Sequence, residues 1–279
     1  MSTPKTWLVT GASQGLGLAL VKRLLREGHQ VAATSRTKET LAAAVNTASA
    51  AFLPLQVDLG SDTSVQAAIA QTIGTFGRLD VVVNNAGYGI GGSIEELSDA
   101  ETRQAFDVNV FGTLNVVRQA LPHLRQQGAG HIINISSIAA LAGATGWAVY
   151  SATKAAVSAF TEVLAQDVAS FGIKATVVEP GGFRTNFLTA ESLTMPQQPL
   201  AAYADIRTSH ARYLALNGAQ GGDPEKAAAA LMQLAAEANP PLHLLLGPDA
   251  YQRAVNKLDA LRQNFETWQS LTLSTSFEA

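Results

Sequence analysis

A doubly wound α/β fold, one parallel sheet with helices on both faces, is the architecture this sequence predicts. Three observations carry that expectation. Short β-branched runs alternate with segments whose apolar residues recur at helical spacing, the mark of successive strand–helix units. Those short runs are apolar almost without interruption, as strands covered on both faces must be. Neither an internal repeat nor a low-complexity linker divides the 279 residues, so one domain holds them.

The elements follow in order. Residues 6–10 (TWLVT) form an apolar run stopped by Gly11 and read as a strand. Residues 15–27 carry apolar side chains at helical spacing, and Gly28 is placed to end that helix. Then come a strand at 30–35, a helix at 37–48, a strand at 51–56, and a helix at 61–76 ended by Gly77. The fourth strand is 81–84. Ser98 and Glu101 have capping-box spacing, which opens a long helical stretch. A fifth strand at 131–135, a long helix at 147–171 before Gly172, and a sixth strand at 174–179 stopped by Pro180 continue the alternation.

Residues 186–222 break the pattern. They hold Pro196 and Pro199, a weakly helical piece at 203–216, and then Gly218, Gly221 and Gly222. An interruption this long in a compact domain predicts a substrate lid. Asp223, Pro224 and Glu225 then supply an N-cap, an N1 proline and an acidic first turn for a helix to about residue 238. Residues 242–246 and a helix near Leu258 are left to cover neighbouring faces.

Composition narrows the function. The chain is 47% hydrophobic, enough for a sizeable core. Lys plus Arg number 19 against 22 Asp plus Glu, a net charge of −3, so nothing electrostatic favours nucleic acid or an anionic membrane. With no cysteine, disulfides, thiolate metal sites and cysteine nucleophiles are excluded. The five histidines lack metal-ligand spacing, and no catalytic metal is expected. The start is polar, and no run of 18 apolar residues occurs. The expectation is therefore no signal peptide, no membrane span and a cytoplasmic location.

Residues 10–17 (TGASQGLG) lie on the first strand–helix turn. Glycines there let the backbone turn sharply and approach a pyrophosphate, which the helix N-terminus then attracts with free N–H groups. Gly11, Ser13, Gln14, Gly15, Leu16 and Gly17 are the candidate phosphate-binding residues. The second strand ends in Ser35 and Arg36, with no acid to bond the adenosine ribose or repel a 2′-phosphate. Ser35 can donate to that phosphate and Arg36 can add charge-assisted bonds, so NADP(H) is the expected cofactor. Gln14 stands against this, occupying a place where a second basic residue would help.

Tyr150 and Lys154 are four apart, so a helix sets them on one face. An ammonium beside a phenol, whose unperturbed pKa is roughly 10, lowers it towards the range useful for proton transfer.

Taken together, the T-G-x-x-x-G-x-G loop, NNAG at 84–87, YSATK at 150–154 and PGGFRT at 180–185 resemble the classical short-chain dehydrogenase/reductase family over residues 6–185. The PGGFRTNF opening of the tail looks most like the hydroxysteroid-dehydrogenase-like branch. The resemblance implies a Rossmann-type sheet and a catalytic tetrad of Asn109, Ser137, Tyr150 and Lys154. In that scheme Tyr150 is general acid and base, and Lys154 also meets the nicotinamide ribose. Ser137, rather than the adjacent Ser136, orients the substrate oxygen, and Asn109 holds a water linking the lysine to solvent. The resemblance further implies that Asp58 and Leu59 meet the adenine and that Asn85, Ala86 and Gly87 line the adenosine ribose. Pro180, Gly181 and Phe183 pass beside the nicotinamide, and Thr185 bonds its carboxamide or a phosphate. Taken alone, Asp58 reads equally well as a helix-capping acid.

The segment between Ser137 and Tyr150 carries no charge, and Tyr88, Gly182, Phe183, Phe187 and Leu188 are placed near the same mouth. Such a pocket suits an apolar ketone or secondary alcohol. Arg184, and Arg207, His210 and Arg212 on the lid, are expected at the surface. Two other functions share parts of this pattern. A nucleotide-sugar epimerase or dehydratase would carry T-G-x-x-G-x-x-G and a larger C-terminal domain, and this chain has neither. A sensor of the NADP(H) redox state would not need a complete tetrad. Finally, the small residues Ala152, Ala155, Ala156 and Ala159 on one helix and the apolar faces of a second, through Phe111, Leu114 and Leu121, predict a homodimer or homotetramer.

Overall fold

Every residue of the first strand is buried. In the computed structural model, which describes residues 4–277, the reason is its central place with a parallel partner on each side. The first half of the chain alternates as β1 (Thr6–Val9), α1 (Gly15–Arg26), β2 (Gln30–Ser35), α2 (Lys38–Val45), β3 (Phe52–Gln56), α3 (Asp62–Phe76) and β4 (Val81–Asn84). Then come β5 (Gly89–Ile90), α4 (Asp99–Phe106), a π-helical turn at Asp107–Phe111, α5 (Gly112–Gln127), β6 (Gly130–Ile135), α6 (Ile138–Leu141), α7 (Ala148–Val168) and β7 (Ile173–Pro180). The remainder comprises β8 (Leu193–Thr194), α8 (Ala204–Ala215), α9 (Pro224–Ala236), β9 (His243–Leu246), α10 (Pro248–Thr267) and α11 (Gln269–Leu273).

Seven parallel strands form one sheet in the order β3-β2-β1-β4-β6-β7-β9. The winding reverses between β1 and β4, which opens a crevice at the carboxyl ends of those strands. Alternation along β1 sends Trp7 and Val9 to one face, among α1 and α9, and Leu8 to the other, among α3, α5 and α7. Pro54 is tolerated in β3 because that strand is an edge of the sheet.

Local signals act where the sequence puts them. Ser98 accepts from the Glu101 N–H while Glu101 reaches back to the Ser98 N–H, a complete capping box. Asp223 caps α9 by accepting from the Glu225 N–H at 2.8 Å. Some expected ends move. The helix expected over 37–48 stops at Val45 because Asn46 turns left-handed, φ 54°. The helix expected over 147–171 tightens into a 3-10 turn at Ala169–Phe171.

One correction concerns a whole element. The sheet has a seventh strand, β9, where residues 242–246 were expected only as cover; it pairs with β7 from Val177 to Pro180. The predicted lid is also tied down. β8 lies parallel to β5, and Glu96, itself buried, accepts from the Leu200 N–H at 2.9 Å and from Arg207. His210, expected at the surface, is 3% exposed. Its Nε2 lies 2.9 Å from the Gly146 carbonyl, and its ring meets Trp147 edge-on at 5.3 Å. Burial of an aromatic face outweighs the cost of sheltering one imidazole, and that burial lowers the His210 pKa.

Candidate active site

The carboxyl ends of the central strands open on a cavity of about 600 Å³ that runs from the first glycine loop to the lid. Gly11 and Gly15 both have positive φ, 63° and 59°. A Cβ on Gly11 would lie 2.6 Å from the Ala86 Cα, so only glycine lets the two strand-end turns meet. At the start of α1, Gln14 makes no side-chain cap and no acid occupies the first turn. The N–H groups there remain available to an anion. Ser13, Gln14, Gly15 and Leu16 line the cavity with Gly11. Gly17 does not. A Cβ there would meet the Asn85 amide at 2.5 Å and the Gly11 carbonyl at 2.8 Å, so this glycine serves close packing behind the loop.

Further out, Ser35, Arg36, Asp58 and Leu59 line the same cavity. Ser35 Oγ donates to the Thr37 carbonyl at 2.6 Å, and Arg36 is exposed and in no ion pair among the described residues. Asp58 closes a turn by accepting from the Gly60 N–H at 2.9 Å, and Ser61, not Asp58, caps α3. Asn85 Nδ2 donates to the carbonyls of Thr10 and Gly11, both at 3.0 Å, and ties the loop to the wall that Asn85, Ala86 and Gly87 form.

Deeper in, α7 sets Tyr150 and Lys154 one turn apart, and both line the cavity. The Tyr150 ring packs against Trp147 at 6.1 Å and Phe187 at 5.7 Å. Burial pushes its phenol up to about 12, against the nearby Ser137 hydroxyl, which favours the phenolate. Lys154 Nζ donates to the Ile135 carbonyl at 2.9 Å, and burial lowers it to about 8. The expected lowering of the phenol by the ammonium is therefore not met: desolvation outweighs it here. Ser136 is distinguished from Ser137 by burial. Both border the cavity, but Ser136 is buried and its hydroxyl is committed to the Lys154 carbonyl at 2.8 Å, whereas Ser137 is partly exposed.

Asn109 sits in the π-helical turn, buried and off the cavity wall. Its Oδ1 accepts from the Tyr88 N–H at 3.0 Å, and its Nδ2 donates to the Tyr88 carbonyl at 3.0 Å and to Thr153 Oγ1 at 3.1 Å. Only Gly87 separates it from the lysine: a Cβ on Gly87 would be 3.0 Å from Asn109 Oδ1 and 3.3 Å from Lys154 Nζ.

Pro180, Gly181, Phe183 and Thr185 form the facing wall. Gly181 N–H donates to the Leu246 carbonyl at 2.8 Å and Gly182 N–H to Asp249 at 2.8 Å. Asp249 and Arg253 also border the cavity, and Arg253 donates to the Ala142 carbonyl at the end of α6. Sequence reasoning missed both residues; the Gly247–Pro248–Asp249 helix start was their one available signal. It also missed Ser192, whose hydroxyl accepts from Gln14 Nε2 at 2.8 Å and joins lid to glycine loop. Arg184 is exposed as expected, with its guanidinium on the Gln220 carbonyl.

Comparison with known proteins agrees with this geometry. A family model described as short chain dehydrogenase matches residues 5–195. The chain is 37% identical to oxidoreductase BOA17 of Botryotinia fuckeliana, over 98% of this chain and 99% of that one. It is 36% identical to 3-ketodihydrosphingosine reductase of Bacteroides thetaiotaomicron, over 88% of each. Among solved structures, a short-chain dehydrogenase from Streptomyces avermitilis superposes with TM-score 0.90 at 36% identity, covering 99% of this chain and 100% of the other. A Burkholderia phymatum short-chain dehydrogenase/reductase in complex with NAD gives 0.81 at 25% identity, covering 95% of each. ElxO with NADP bound gives 0.71 at 27% identity, covering 88% of this chain and 97% of that one.

Proposed function

The chain belongs to the short-chain dehydrogenase family, and from that premise we propose that it interconverts an apolar ketone and its secondary alcohol with NADP(H), using Tyr150 as general acid and base. It is an oxidoreductase of that family, and family members hold NAD in one case and NADP in another.

One observation carries the reading: Tyr150, Ser137 and Lys154, the last one helical turn from the tyrosine, border the same cavity as the bare N-terminus of α1. When bound, the reduced nicotinamide supplies the hydride. Ser137 and Tyr150 hold the carbonyl oxygen from the side of α7. As the carbon is reduced, the phenol gives its proton to the developing alkoxide, and the Lys154 ammonium stabilises the phenolate left behind. Oxidation runs the same groups in reverse. Ile138, Trp147, Phe187, Leu188 and Tyr213 line the substrate end, which supports an apolar substrate.

The absence of an acid beside Ser35 and the free guanidinium of Arg36 support NADP(H). Gln14 adds no charge there and is already bonded to Ser192. The exposed Phe111 at the start of α5, Val163 on α7 and Phe171 on the turn after it support association of copies through those helices. Among the described residues no helix is long and apolar enough to cross a membrane.

A panel of ketones and secondary alcohols, followed at the nicotinamide absorbance with each cofactor, tests the reading. Turnover with a higher kcat/KM for NADPH supports it. Equal kcat/KM for the two cofactors removes the NADP preference, and no turnover of any substrate leaves a cofactor-binding sensor.

A further inference from the structure

The seam that seats α10 on the body does not stop where the body stops. Ala250 and Ala254 pack against Ile138 of α6. From Ala254 the same face continues through Leu258, Leu261, Phe265 and Trp268, at spacings of four, three, four and three residues. That is the a/d repeat of a helix built to meet another helix. Beyond Ala254 it is largely uncovered: Leu261 is partly buried, but Leu258 is 55%, Phe265 67% and Trp268 56% exposed, and every residue from Arg262 to Phe277 is exposed. The opposite face carries Asn256, Asp259, Gln263 and Glu266, as a solvated face should.

A helical arm of this length is marginal by itself in water, so its stability must come from a packed face. On the seam itself Leu258, Phe265 and Trp268 expose on the order of 400 Å², and Leu271, Leu273 and Phe277 further along the arm bring the total near the ~800 Å² that one partner brings to a standard interface. Charge selects the kind of partner. Residues 258–277 contain one arginine against two carboxylates, Asp259 and Glu266. A helix that lies on an anionic membrane needs an excess of Lys and Arg on its polar face. A helix of the same seam needs none, and two copies related by a two-fold axis bury identical stripes in each other.

We infer that the arm from Leu258 onwards is an interface for a second copy of this chain, paired helix to helix through Leu258, Leu261, Phe265 and Trp268. This contact is separate from the α5 and α7 faces, and it is independent of the reaction assigned above.

The test uses the whole chain. Phe265→Glu/Trp268→Glu changes two exposed side chains, so circular dichroism and the melting temperature should stay at wild-type values. Light scattering at micromolar concentration should then show the particle mass halved. Because the sequence has no cysteine, single cysteines report geometry directly. Among Leu258→Cys, Leu261→Cys and Phe265→Cys, at least one should give an oxidised dimer, and Gln263→Cys on the far face should not. An unchanged mass, a wild-type particle of 29.2 kDa, or equal crosslinking from Gln263→Cys overturns the inference. So does wild-type sedimentation with phosphatidylcholine/phosphatidylserine vesicles that the double variant loses, which would make the arm a membrane anchor.

Discussion

Asn109 grips Tyr88 by both ends of its backbone, accepting from its N–H and donating to its carbonyl, each at 3.0 Å. The grip fixes the turn in which Gly87 lies against Lys154. Asn109→Ala leaves both Tyr88 groups without that partner and should cost about 1–3 kcal/mol of stability. The melting temperature and kcat should fall together, and Asn109→Asp, which keeps the acceptor, should recover part of each. A lower melting temperature with kcat untouched would assign Asn109 to the fold alone.

Tyr150→Phe removes the proton donor and keeps the ring against Trp147 and Phe187. Ketone reduction should drop by ~10²–10⁴-fold, while NADPH affinity, read by quenching of tryptophan fluorescence, should hold. Near wild-type turnover in this variant would refute the mechanism.

Cofactor choice should turn on the end of β2. Ser35→Asp places a carboxylate where an NADP 2′-phosphate would lie and should shift the kcat/KM ratio towards NADH. The shift should arise mainly in KM. If the ratio does not move, the phosphate is read elsewhere.

Acid should destabilise the protein through His131, buried in β6 with Nε2 3.0 Å from Thr176 Oγ1. Burial first, then the charges of Lys174 and Lys5, lower its pKa from 6.5 to about 4. The native state then binds fewer protons than the unfolded chain between those values. Its contribution is complete above pH 6.5 and is lost as the pH falls towards 4, on the order of 3 kcal/mol in all. Urea melts at pH 7 and pH 5 should separate in the wild type and approach each other in His131→Asn. Equal separation in both would place the acid sensitivity elsewhere.

Glu96 accepts from Ser93, from Leu200 and from Arg207, across more than 100 residues of sequence. We therefore predict that Glu96→Ala frees the lid: amide exchange over 193–216 should accelerate on the seconds-to-minutes scale, with a raised KM for ketone. In the wild type, cofactor and substrate together should slow exchange over the same residues. Exchange indifferent to both would make this segment plain scaffold.

Much of this was legible in the residues. The glycine loop, the capping box at Ser98 and Glu101, and the pairing of Tyr150 with Lys154 on one helix face are all local patterns, set by backbone geometry within a few positions. What escaped depends on contacts between distant segments. Residues 242–246 look like any short apolar run until β7 offers them an edge. His210 reads as a surface histidine until Trp147 and Gly146 enclose it. Asp249 and Arg253 carry no motif, and they matter because the sheet brings α10 beside Gly182 and Ala142. Likewise the phenol of Tyr150 rises because its surroundings exclude water, which a four-residue spacing cannot report.

The bonds from Gly181 to Leu246 and from Gly182 to Asp249 also set an order of events during synthesis. Every family motif has been synthesised by Thr185, yet the loop that closes the far wall still lacks its partners, 65 and 67 residues downstream. At the usual 5–20 residues per second that interval lasts roughly 3–13 s. Through it the nascent chain has its glycine loop and its tyrosine, and an unpaired edge on β7. A ribosome-bound chain stalled near residue 230 should therefore contain the whole family signature and still have an open, unfinished site.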